Sequence, residues 1–290
     1  MDLLRLTKRN RDGSFGTQKN RQRGLSAMAA DLNHLGFKLK TARSLKPKHV
    51  EALVDHWRDA GHSKATIRNR MSWLRWWAQK VDKTSVLHKE NASYELNDVA
   101  KVQSNLAYGL KPDQLTALTN HHVRAAVMLQ AAFGLRREEA MKLVPQEAFR
   151  KDCIKLKGSW TKGGRPRTVP ITSQHQRVVI SAVAQVAQEG SLIPKDKSYA
   201  LHLRTYERQT QKAGLGRSHG LRHHYAQARY EQLTGLKCPI NGGPDRTLMS
   251  DDQYALDRQA RARLSKELGH NRVEILDVYI GRLYQGKRAA

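Results

Sequence analysis

Apolar residues recur at helical spacing through the first third of the chain, in three stripes. The stripes comprise Leu25, Met28, Ala29 and Leu32, then Val50, Leu53, Val54 and Trp57, and then Ile67, Met71, Leu74, Ala78 and Val81. Side chains three or four positions apart share one face of an α-helix, so each stripe predicts an amphipathic helix. Ser63 precedes the third stripe and suits the capping position at a helix start. We therefore predict a small helical domain over residues 23–85.

The residues before the first stripe follow a different pattern. Residues 1–22 are basic, rich in Gly, Asn and Gln, and show no helical periodicity. A polar segment of this kind lacks the apolar surface that would compensate for the entropy lost on folding. We therefore predict that residues 1–22 form a flexible basic arm.

Periodicity lapses after the third stripe and returns in a second domain. The polar stretch over residues 86–111 predicts an interdomain linker. Helical spacing resumes at Leu115 and Leu118, and short β-type runs at residues 154–157 and 168–171 flank the turn residues TKGGRP. The predicted fold is mainly α-helical, with a small β-hairpin in a second domain over residues 112–290.

The charge balance indicates the class of partner. The 52 Lys and Arg residues outnumber the 26 acids, which leaves a formal net charge of +26 and a pI near 10.4. Such an excess favours a polyanion, because each neutralised phosphate releases counterions. A ribosomal protein, a nonspecific basic protein or a surface kept basic for solubility would show the same balance. Charge therefore indicates nucleic acid and nothing more specific.

Cysteine usage and hydropathy argue against several other classes of protein. Cys153 and Cys238 form no CxxC pair, which disfavours a disulfide framework and a zinc ribbon. No apolar run is long enough to cross a bilayer, and the first residues lack the apolar stretch of a secretory signal. We expect a bacterial cytoplasmic protein that associates with the nucleoid and with no membrane.

Basic side chains of the third predicted helix are candidate DNA contacts. Arg68 and Arg75 are seven residues apart and share a face of that helix, and Arg70 lies close by. An ordinary solvated face is the alternative for any one of these arginines. The tryptophans between residues 73 and 77 are predicted to pack in the core rather than to stack on bases.

Four segments of the second domain carry residues suited to one chemistry. They read GLRREEA (134–140), TKGGRPRTVPI (161–171), HGLRHHYA (219–226) and LGHNRVEILDVYIG (268–281). In order, they supply Arg136, Lys162, His219, Arg222, His270 and Tyr279. A tyrosine hydroxyl can attack a phosphodiester, and surrounding cations can stabilise the charge that develops on the phosphate. The set predicts phosphodiester cleavage with no metal and no cofactor.

At these residues the chain resembles the tyrosine recombinase (phage integrase) superfamily. The resemblance is carried by GLR-x-x-E, by the lysine of the hairpin, by H-x-x-R and by the LGH-x8-Y spacing. It covers the chain from about residue 111 onward and, more weakly, the helical region before it. It implies a helical core-binding domain followed by an α+β catalytic domain, which together form a C-shaped clamp on DNA.

The resemblance implies roles for the residues that contact the phosphate. Tyr279 is the expected nucleophile, and Tyr284 is its weaker rival. Arg136 and Arg222 are expected to grip the scissile phosphate through their planar guanidinium groups. Lys162 is expected to act as the general acid that protonates the departing 5′ oxygen.

The remaining candidates are expected to assist. His219 is placed to exchange protons with the nucleophile or to hydrogen-bond the phosphorane oxygens, and His270 to hydrogen-bond the phosphate. Glu139 matches an acid that orients the site. Arg165 and Arg167 are interpreted as contacts to backbone phosphates or as surface charge. The histidines at 223 and 224 fit no ligand pattern such as HExxH, so we predict no metal site.

The resemblance also implies partners. They are double-stranded DNA with inverted-repeat core sites, three further copies of the chain in a homotetramer on DNA, and a directionality or accessory factor; the free protein is expected to be a monomer. An integrase of a mobile genetic element is the favoured function. An Xer-like recombinase that resolves dimers, a type IB topoisomerase and a non-catalytic DNA-binding regulator are the alternatives.

Two features depart from the family pattern. His219 and His270 are 51 positions apart, which is longer than is usual in the family. The extra segment, about residues 234–261, is predicted to be an inserted loop with a short helix. It could contact DNA, a neighbouring protomer or an accessory factor, but a tolerated surface insertion is the preferred interpretation. Eleven residues follow Tyr279, which predicts a short tail for exchange between protomers.

Overall fold

The computed structural model describes residues 2–97, 104–216 and 218–284 of the chain. It divides into two compact units, Met1–Lys101 and Val102–Ala290. The described ranges contain mostly α-helices and one antiparallel pair of strands, which confirms the predicted fold class. No helix in these ranges is both long enough and apolar enough to span a membrane.

Four α-helices build the first unit. They are α1 (Asp2–Arg9), α2 (Phe15–His34), α3 (Pro47–Asp59) and α4 (Lys64–Lys80). Short 3₁₀ turns lie at Ala42–Ser44, Thr84–Val86 and Ala92–Tyr94. Ser63 accepts a hydrogen bond from the N–H of Thr66 and caps α4, as predicted. Every residue of the three predicted stripes is buried except Ala29, which is half-buried, so the stripes form the core of this unit.

Three of the four tryptophans of the first unit are buried in its core, and Trp73 is half-buried against that core, which agrees with the prediction of packing for residues 73–77. Trp57 and Trp77 are fully buried. The indole N–H of Trp77 donates to the carbonyl of Ala42 at 2.9 Å, and that of Trp76 donates to Asp12 at 2.9 Å. The polar edges of these rings are therefore satisfied inside the unit.

The prediction of a flexible arm over residues 1–22 is wrong, because most of these residues lie in α1 and in the first turns of α2. Leu3 and Leu6 of α1 pack against the core. Arg21 of α2 forms an ion pair with Asp12 at 2.6 Å and stacks 4.2 Å from the ring of Trp76. A basic side chain here buries its stem and behaves as a packing residue, which a reading of polarity alone does not reveal.

The predicted linker, residues 86–111, belongs mostly to one unit or the other. Tyr94 and Leu96 are buried in the core of the first unit, and Tyr108 and Leu110 pack against the core of the second. The first unit therefore extends beyond residue 85. Residues 98–103 of the predicted linker lie outside the described residues. Isolated apolar residues among polar ones produce no periodicity, which explains the difference.

The second unit consists of helices and one β-hairpin. The helices are α5 (Pro112–Ala117), α6 (His121–Phe133), α7 (Arg137–Lys142), α8 (Pro145–Ala148), α9 (Gln174–Ala187), α10 (Tyr199–Lys212), α11 (His219–Thr234), α12 (Asp251–Leu268) and α13 (Asp277–Ile280). The strands β1 (Cys153–Leu156) and β2 (Arg167–Pro170) pair antiparallel, within one residue of the predicted runs. The turn between them contains Gly163 and Gly164 at φ values of 81° and 70°.

Helix α6 lies at the centre of the second core. It packs against α7, α9, α10 and α11, and its residues Val123, Val127 and Phe133 are fully buried. Helix α11 packs in turn against α12 and α13. The end of α6, the start of α11 and the end of α12 carry the GLR, HGLR and LGH segments.

The segment predicted to be an insertion, residues 234–261, is only partly a loop. Residues 235–250 contain two 3₁₀ turns, Pro239–Asn241 and Arg246–Leu248, whereas residues 251–261 belong to the 18-residue helix α12. Tyr279 lies in the four-residue helix α13, directly after the 3₁₀ turn Val273–Leu276.

Gly24 marks a close approach of α2 and α4, and we predict that Gly24→Ala lowers the free energy of unfolding of the first unit by about 1–3 kcal/mol. A Cβ at residue 24 would lie 2.1 Å from Cε3 of Trp73, so the ring would have to move. Urea unfolding followed by tryptophan fluorescence measures this, because four of the five tryptophans lie in the first unit. Gly16→Ala is the control, since its Cβ would meet only Ser14 Oγ, at 3.9 Å. Equal stability of the two variants would contradict the prediction.

Candidate active site

Arg222 lies at the centre of a polar cluster inside the second unit. It is 1 % exposed, and its two terminal nitrogens donate to the carbonyls of Gly134 and Leu268. Both carbonyls lie at the C-terminal ends of helices, α6 and α12, where the helix dipole favours a cation. Burial, more than any neighbouring charge, lowers the pKa of Arg222 to about 10, so the guanidinium stays charged at neutral pH.

The hydroxyl of Tyr279 lies between two basic side chains. Its oxygen is 3.2 Å from Nε2 of His219 and 3.4 Å from Nε of Arg222. His219 is the first residue of α11 and Arg222 follows three positions later, so helical spacing puts both on one face. The Tyr279 side chain is buried, at 4 % exposure. A proton acceptor and a cation therefore both contact the phenol oxygen.

His270 completes the surroundings of Arg222. Gly269 ends α12 with a φ of 68°, and His270 follows it with Nε2 at 3.2 Å from Nη2 of Arg222. Burial, together with the charges of Arg222 and Arg136, lowers the pKa of His270 to about 4. Burial lowers the pKa of His219 as well, again with help from Arg222 and Arg136. Both rings are neutral at neutral pH, so each keeps one nitrogen that can accept a proton.

One buried carboxylate holds two arginines. Glu139 is 1 % exposed and accepts from Nη1 of Arg136 at 2.8 Å and from Nη1 and Nη2 of Arg167 at 2.9 and 2.6 Å. It also accepts from the backbone N–H of Arg136 at 2.8 Å, at the start of α7. Burial raises the pKa of Glu139, but the two arginines outweigh burial and lower it to about 2. The group of three therefore carries one net positive charge at neutral pH.

The structure gathers most of the residues that the sequence singled out. Those in the cluster are Arg136, Glu139, His219, Arg222, His270 and Tyr279. Lys162 is exposed in the turn between β1 and β2, and Arg165 is exposed in the same turn. Tyr284 is 61 % exposed, in contrast to Tyr279.

The Arg167 side chain is largely buried, so it is not a simple surface charge, whereas its contact with a backbone phosphate stays a prediction. Its side chain is 6 % exposed, and Nε donates to the carbonyl of Glu267 at 2.9 Å in addition to the pair with Glu139. A position on a short strand beside a basic turn looks exposed in the sequence. Its burial depends on α12, which begins 84 residues further along the chain. A local sequence pattern therefore does not predict this burial.

Two arginines of α4, Arg70 and Arg75, have partners within the first unit. Arg70 Nη1 is 3.7 Å from Asp31, and Arg75 Nη2 donates to Asn91 at 2.9 Å. Arg68 is half-buried and also has a partner. Contact of these three side chains with DNA stays a prediction, and it requires that their present contacts be exchanged or shared.

Two residues next to Tyr279 were missed at the level of sequence. The ring of His223 lies 4.5 Å from that of Tyr279, and its Nδ1 has no hydrogen-bond partner among the described residues. Burial, with His219 and Arg222, lowers the pKa of His223 to about 4. Gln227 donates to the carbonyl of Tyr279 at 2.9 Å. Both follow His219 on α11 at intervals of four residues, and that spacing was a usable signal.

Comparison with known protein families identifies the chain. Residues 1–86 match the phage integrase N-terminal family, and residues 92–228 match the integrase family. The chain belongs to the phage integrase family, the tyrosine-type site-specific DNA recombinases. The second match ends before His270 and Tyr279, so these two residues are joined to the site by their contacts with Arg222 and His219. No curated protein sequence matches the chain.

Solved recombinase structures share this fold at low sequence identity. The Tn1549 transposon integrase in complex with transposon right-end DNA is 14% identical, with a TM-score of 0.57 over 96% of this chain and 95% of that one. A lambda integrase tetramer bound to a Holliday junction is 15% identical, with a TM-score of 0.58 over 93% and 76%. XerH bound to a palindromic difH substrate is 15% identical, with a TM-score of 0.58 over 94% and 78%. At this identity the likeness establishes the fold.

We predict that Glu139→Gln lowers the free energy of unfolding by about 3–5 kcal/mol, because it leaves two arginines without their shared buried counter-ion. Calorimetry on the full chain measures the change. Glu138→Gln is the matched control, since Glu138 pairs with Lys142 at 2.6 Å on the surface. Exposed pairs contribute only about 0–1 kcal/mol. Equal losses in the two variants would contradict the prediction.

Proposed function

We propose that the chain is the integrase of a mobile genetic element and that Tyr279 cleaves DNA by forming a 3′-phosphotyrosine. The observation that carries the proposal is the contact of one phenol oxygen with both His219, at 3.2 Å, and Arg222, at 3.4 Å. A free phenol is a poor nucleophile at neutral pH and needs both an acceptor for its proton and a positive environment. The site supplies each from a fixed side chain.

In the proposed cleavage step the Tyr279 oxygen forms a bond to phosphorus while the bond from phosphorus to the 5′ oxygen breaks. The phenol proton passes to Nε2 of His219, which is neutral at neutral pH because burial lowers its pKa. Lys162 gives a proton to the departing 5′ oxygen from the hairpin turn. The products are a 3′-phosphotyrosine and a free 5′ hydroxyl. A second 5′ hydroxyl can reverse the step on a new strand with no external energy source.

The cations of the site are proposed to hold the phosphate. The terminal nitrogens of Arg222 donate to carbonyls, which carry no full charge, so its positive charge remains available. Arg136 shares Glu139 with Arg167, and its side chain is still 22 % exposed. Two guanidinium groups and His270 would then stabilise the charge that develops on the nonbridging oxygens. These donors are in place before DNA binds, so little reorganisation is needed.

The proposed partner is double-stranded DNA with inverted-repeat core sites, on which four copies of a protein that is monomeric when free assemble. The net charge of +26 suits such a partner and makes binding depend on salt. We place the protein in the bacterial cytoplasm, at the nucleoid, with a directionality or accessory factor as a further partner. The fold shared with a transposon integrase and with lambda integrase favours integration of a mobile element. The fold shared with XerH makes resolution of dimers the second candidate.

We predict that Tyr279→Phe retains DNA binding and forms no covalent complex, because only the hydroxyl is removed. Wild type and variant are incubated with sheared genomic DNA from the source organism in EDTA, denatured, and analysed for protein-linked DNA. Tyr284→Phe is the matched control and should react like wild type, since Tyr284 is exposed. Adducts in Tyr279→Phe would refute the nucleophile. Adducts scattered over unrelated sequences would indicate a topoisomerase, and intact binding without any adduct would indicate a regulator.

We predict that the cleavage rate at limiting DNA concentration falls on the acid side with a midpoint below pH 6.5. The pKa of His219 is lowered from 6.5, so the ring stays neutral, and able to accept a proton, at pH values where an exposed histidine is half protonated. Rates at limiting substrate report the free enzyme. The DNA trapped by the wild type serves as substrate. A midpoint above pH 6.5 would argue against His219 as the proton acceptor.

A further inference from the structure

The loop between α11 and α12, residues 235–250, is docked on the chain segment that carries Tyr279. The N–H of Arg246 in this loop donates to the carbonyl of Leu283 at 2.9 Å. On the same side, Gly281 approaches the loop so closely that a Cβ would lie 2.5 Å from the backbone nitrogen of Ile240. Gly281 has a φ of 91°, a conformation that favours glycine for a second reason. The α11–α12 loop therefore contacts the backbone on the C-terminal side of the nucleophile.

Three side-chain amides close a ring beside Tyr279. Gln227 donates to Asn105 at 2.9 Å, Asn105 donates to Asn241 of the α11–α12 loop at 2.8 Å, and Asn241 donates back to Gln227 at 3.0 Å. The second N–H of Gln227 donates to the carbonyl of Tyr279 at 2.9 Å. Gln227 is buried at 6 % exposure, whereas the other two amides are exposed. The amide ring thus fixes the buried amide of Gln227, which donates to the main-chain carbonyl of Tyr279.

Arg261 of α12 holds the residues on both sides of Tyr279. Its Nη1 donates to the carboxylate of Asp277 at 3.0 Å, and its Nη2 donates to the carbonyl of Gly281 at 3.1 Å. Its Nε donates to Asp257 at 2.9 Å, and both side chains are buried. The acceptors at residues 277, 279, 281 and 283 are therefore each bound by α11, by the α11–α12 loop or by α12.

We propose that the α11–α12 loop, together with Gln227 and Arg261, is a brace that positions Tyr279 in the active site of its own chain before DNA binds. This inference rests on the proposed role of Tyr279 as nucleophile. The residues of the brace touch the backbone around Tyr279 and none of the reacting atoms, so they are positioning residues. The brace gives a function to much of the segment from 234 to 261, which the sequence indicated to be a tolerated insertion.

The chemistry makes such a brace effective. Helix α13 has only four residues, which is too few to hold a side chain in place by itself. The phenol oxygen must stay within hydrogen-bond reach of His219 and Arg222, and an error of about 1 Å in a reacting group costs about 100-fold in rate. Hydrogen bonds to the main chain on both sides of residue 279 supply that accuracy. Loosening one of them should therefore slow cleavage without changing affinity for DNA.

Asn241→Ala tests the brace, because Asn241 is exposed and its loss opens the amide ring without removing core packing. We expect cleavage of the trapped DNA duplex to slow about 10- to 100-fold. The Kd of Asn241→Ala for that duplex should stay within about twofold of the wild-type value, since no phosphate-binding cation is altered. Backbone amides of residues 277–283 should exchange with deuterium faster in the free protein. Gln259→Ala, an exposed amide on α12, is the matched control and should leave all three measurements unchanged.

A double-mutant cycle shows whether Asn105 and Asn241 act together as parts of one ring or contribute independently. Asn105→Ala opens the same ring, so the double variant with Asn241→Ala should cleave about as slowly as the slower single variant. Losses that multiply would show that the two amides act separately and would overturn the ring. Wild-type cleavage or unchanged exchange in Asn241→Ala would overturn the brace.

Failure of the brace and failure of the proposed function give different results. The exchange measurement needs no catalysis. If the wild type formed no adduct, the proposed function would fail, and with it the catalytic role of the brace. If the wild type formed adducts at Tyr279 and Asn241→Ala cleaved equally fast, the proposed function would stand and the brace alone would fall.

Discussion

A positive charge buried among uncharged acceptors is the interaction on which the rest of the site depends. Moving a guanidinium from water into the protein is costly unless its donors are satisfied, and Arg222 satisfies two of them with the carbonyls of Gly134 and Leu268. These carbonyls fix the ends of α6 and α12 relative to α11. Gly134 has no room for a Cβ, which would lie 2.4 Å from the ring of Tyr225. The GLR, HGLR and LGH segments meet at Arg222, which belongs to the second of them and donates to carbonyls of the other two.

Some charged groups of the site form ion pairs within the protein, whereas the charge of Arg222 has no such counter-ion in the part of the chain that the structure describes. Glu139 is committed to Arg136 and Arg167, and its lowered pKa keeps that carboxylate ionised at any ordinary pH. Arg222 keeps an uncompensated charge next to the phenol oxygen of Tyr279. The histidines are kept neutral by burial in this positive environment, as the lowered pKa values of His219 and His270 show. Cation and proton acceptor can therefore coexist within one small volume.

Helices and strands whose sequence signals extend over only a few positions were predicted correctly. Helical stripes located the core of the first unit, and the hairpin was placed within one residue, because periodicity and turn residues act over a few positions. The residues of the cluster were found from motif spacing and not from any property of the fold. Errors arose where burial depends on distant partners. Arg21 and Arg167 look like surface charge until Asp12 and Glu139 are placed beside them. The α11–α12 loop looked dispensable because the N–H of Arg246 donates to the backbone carbonyl of Leu283, and such a contact leaves no trace in side-chain pattern.

Mass spectrometry of the covalent complex identifies the residue that is linked to DNA. Trypsin releases Tyr279 in the peptide Val273–Arg282, in which it is the one tyrosine, and Tyr284 falls in the next peptide. After nuclease digestion of DNA trapped in EDTA, we expect Val273–Arg282 to carry a nucleotide linked through its 3′ phosphate. A nucleotide on any other peptide, or a linkage through a 5′ phosphate, would contradict this expectation.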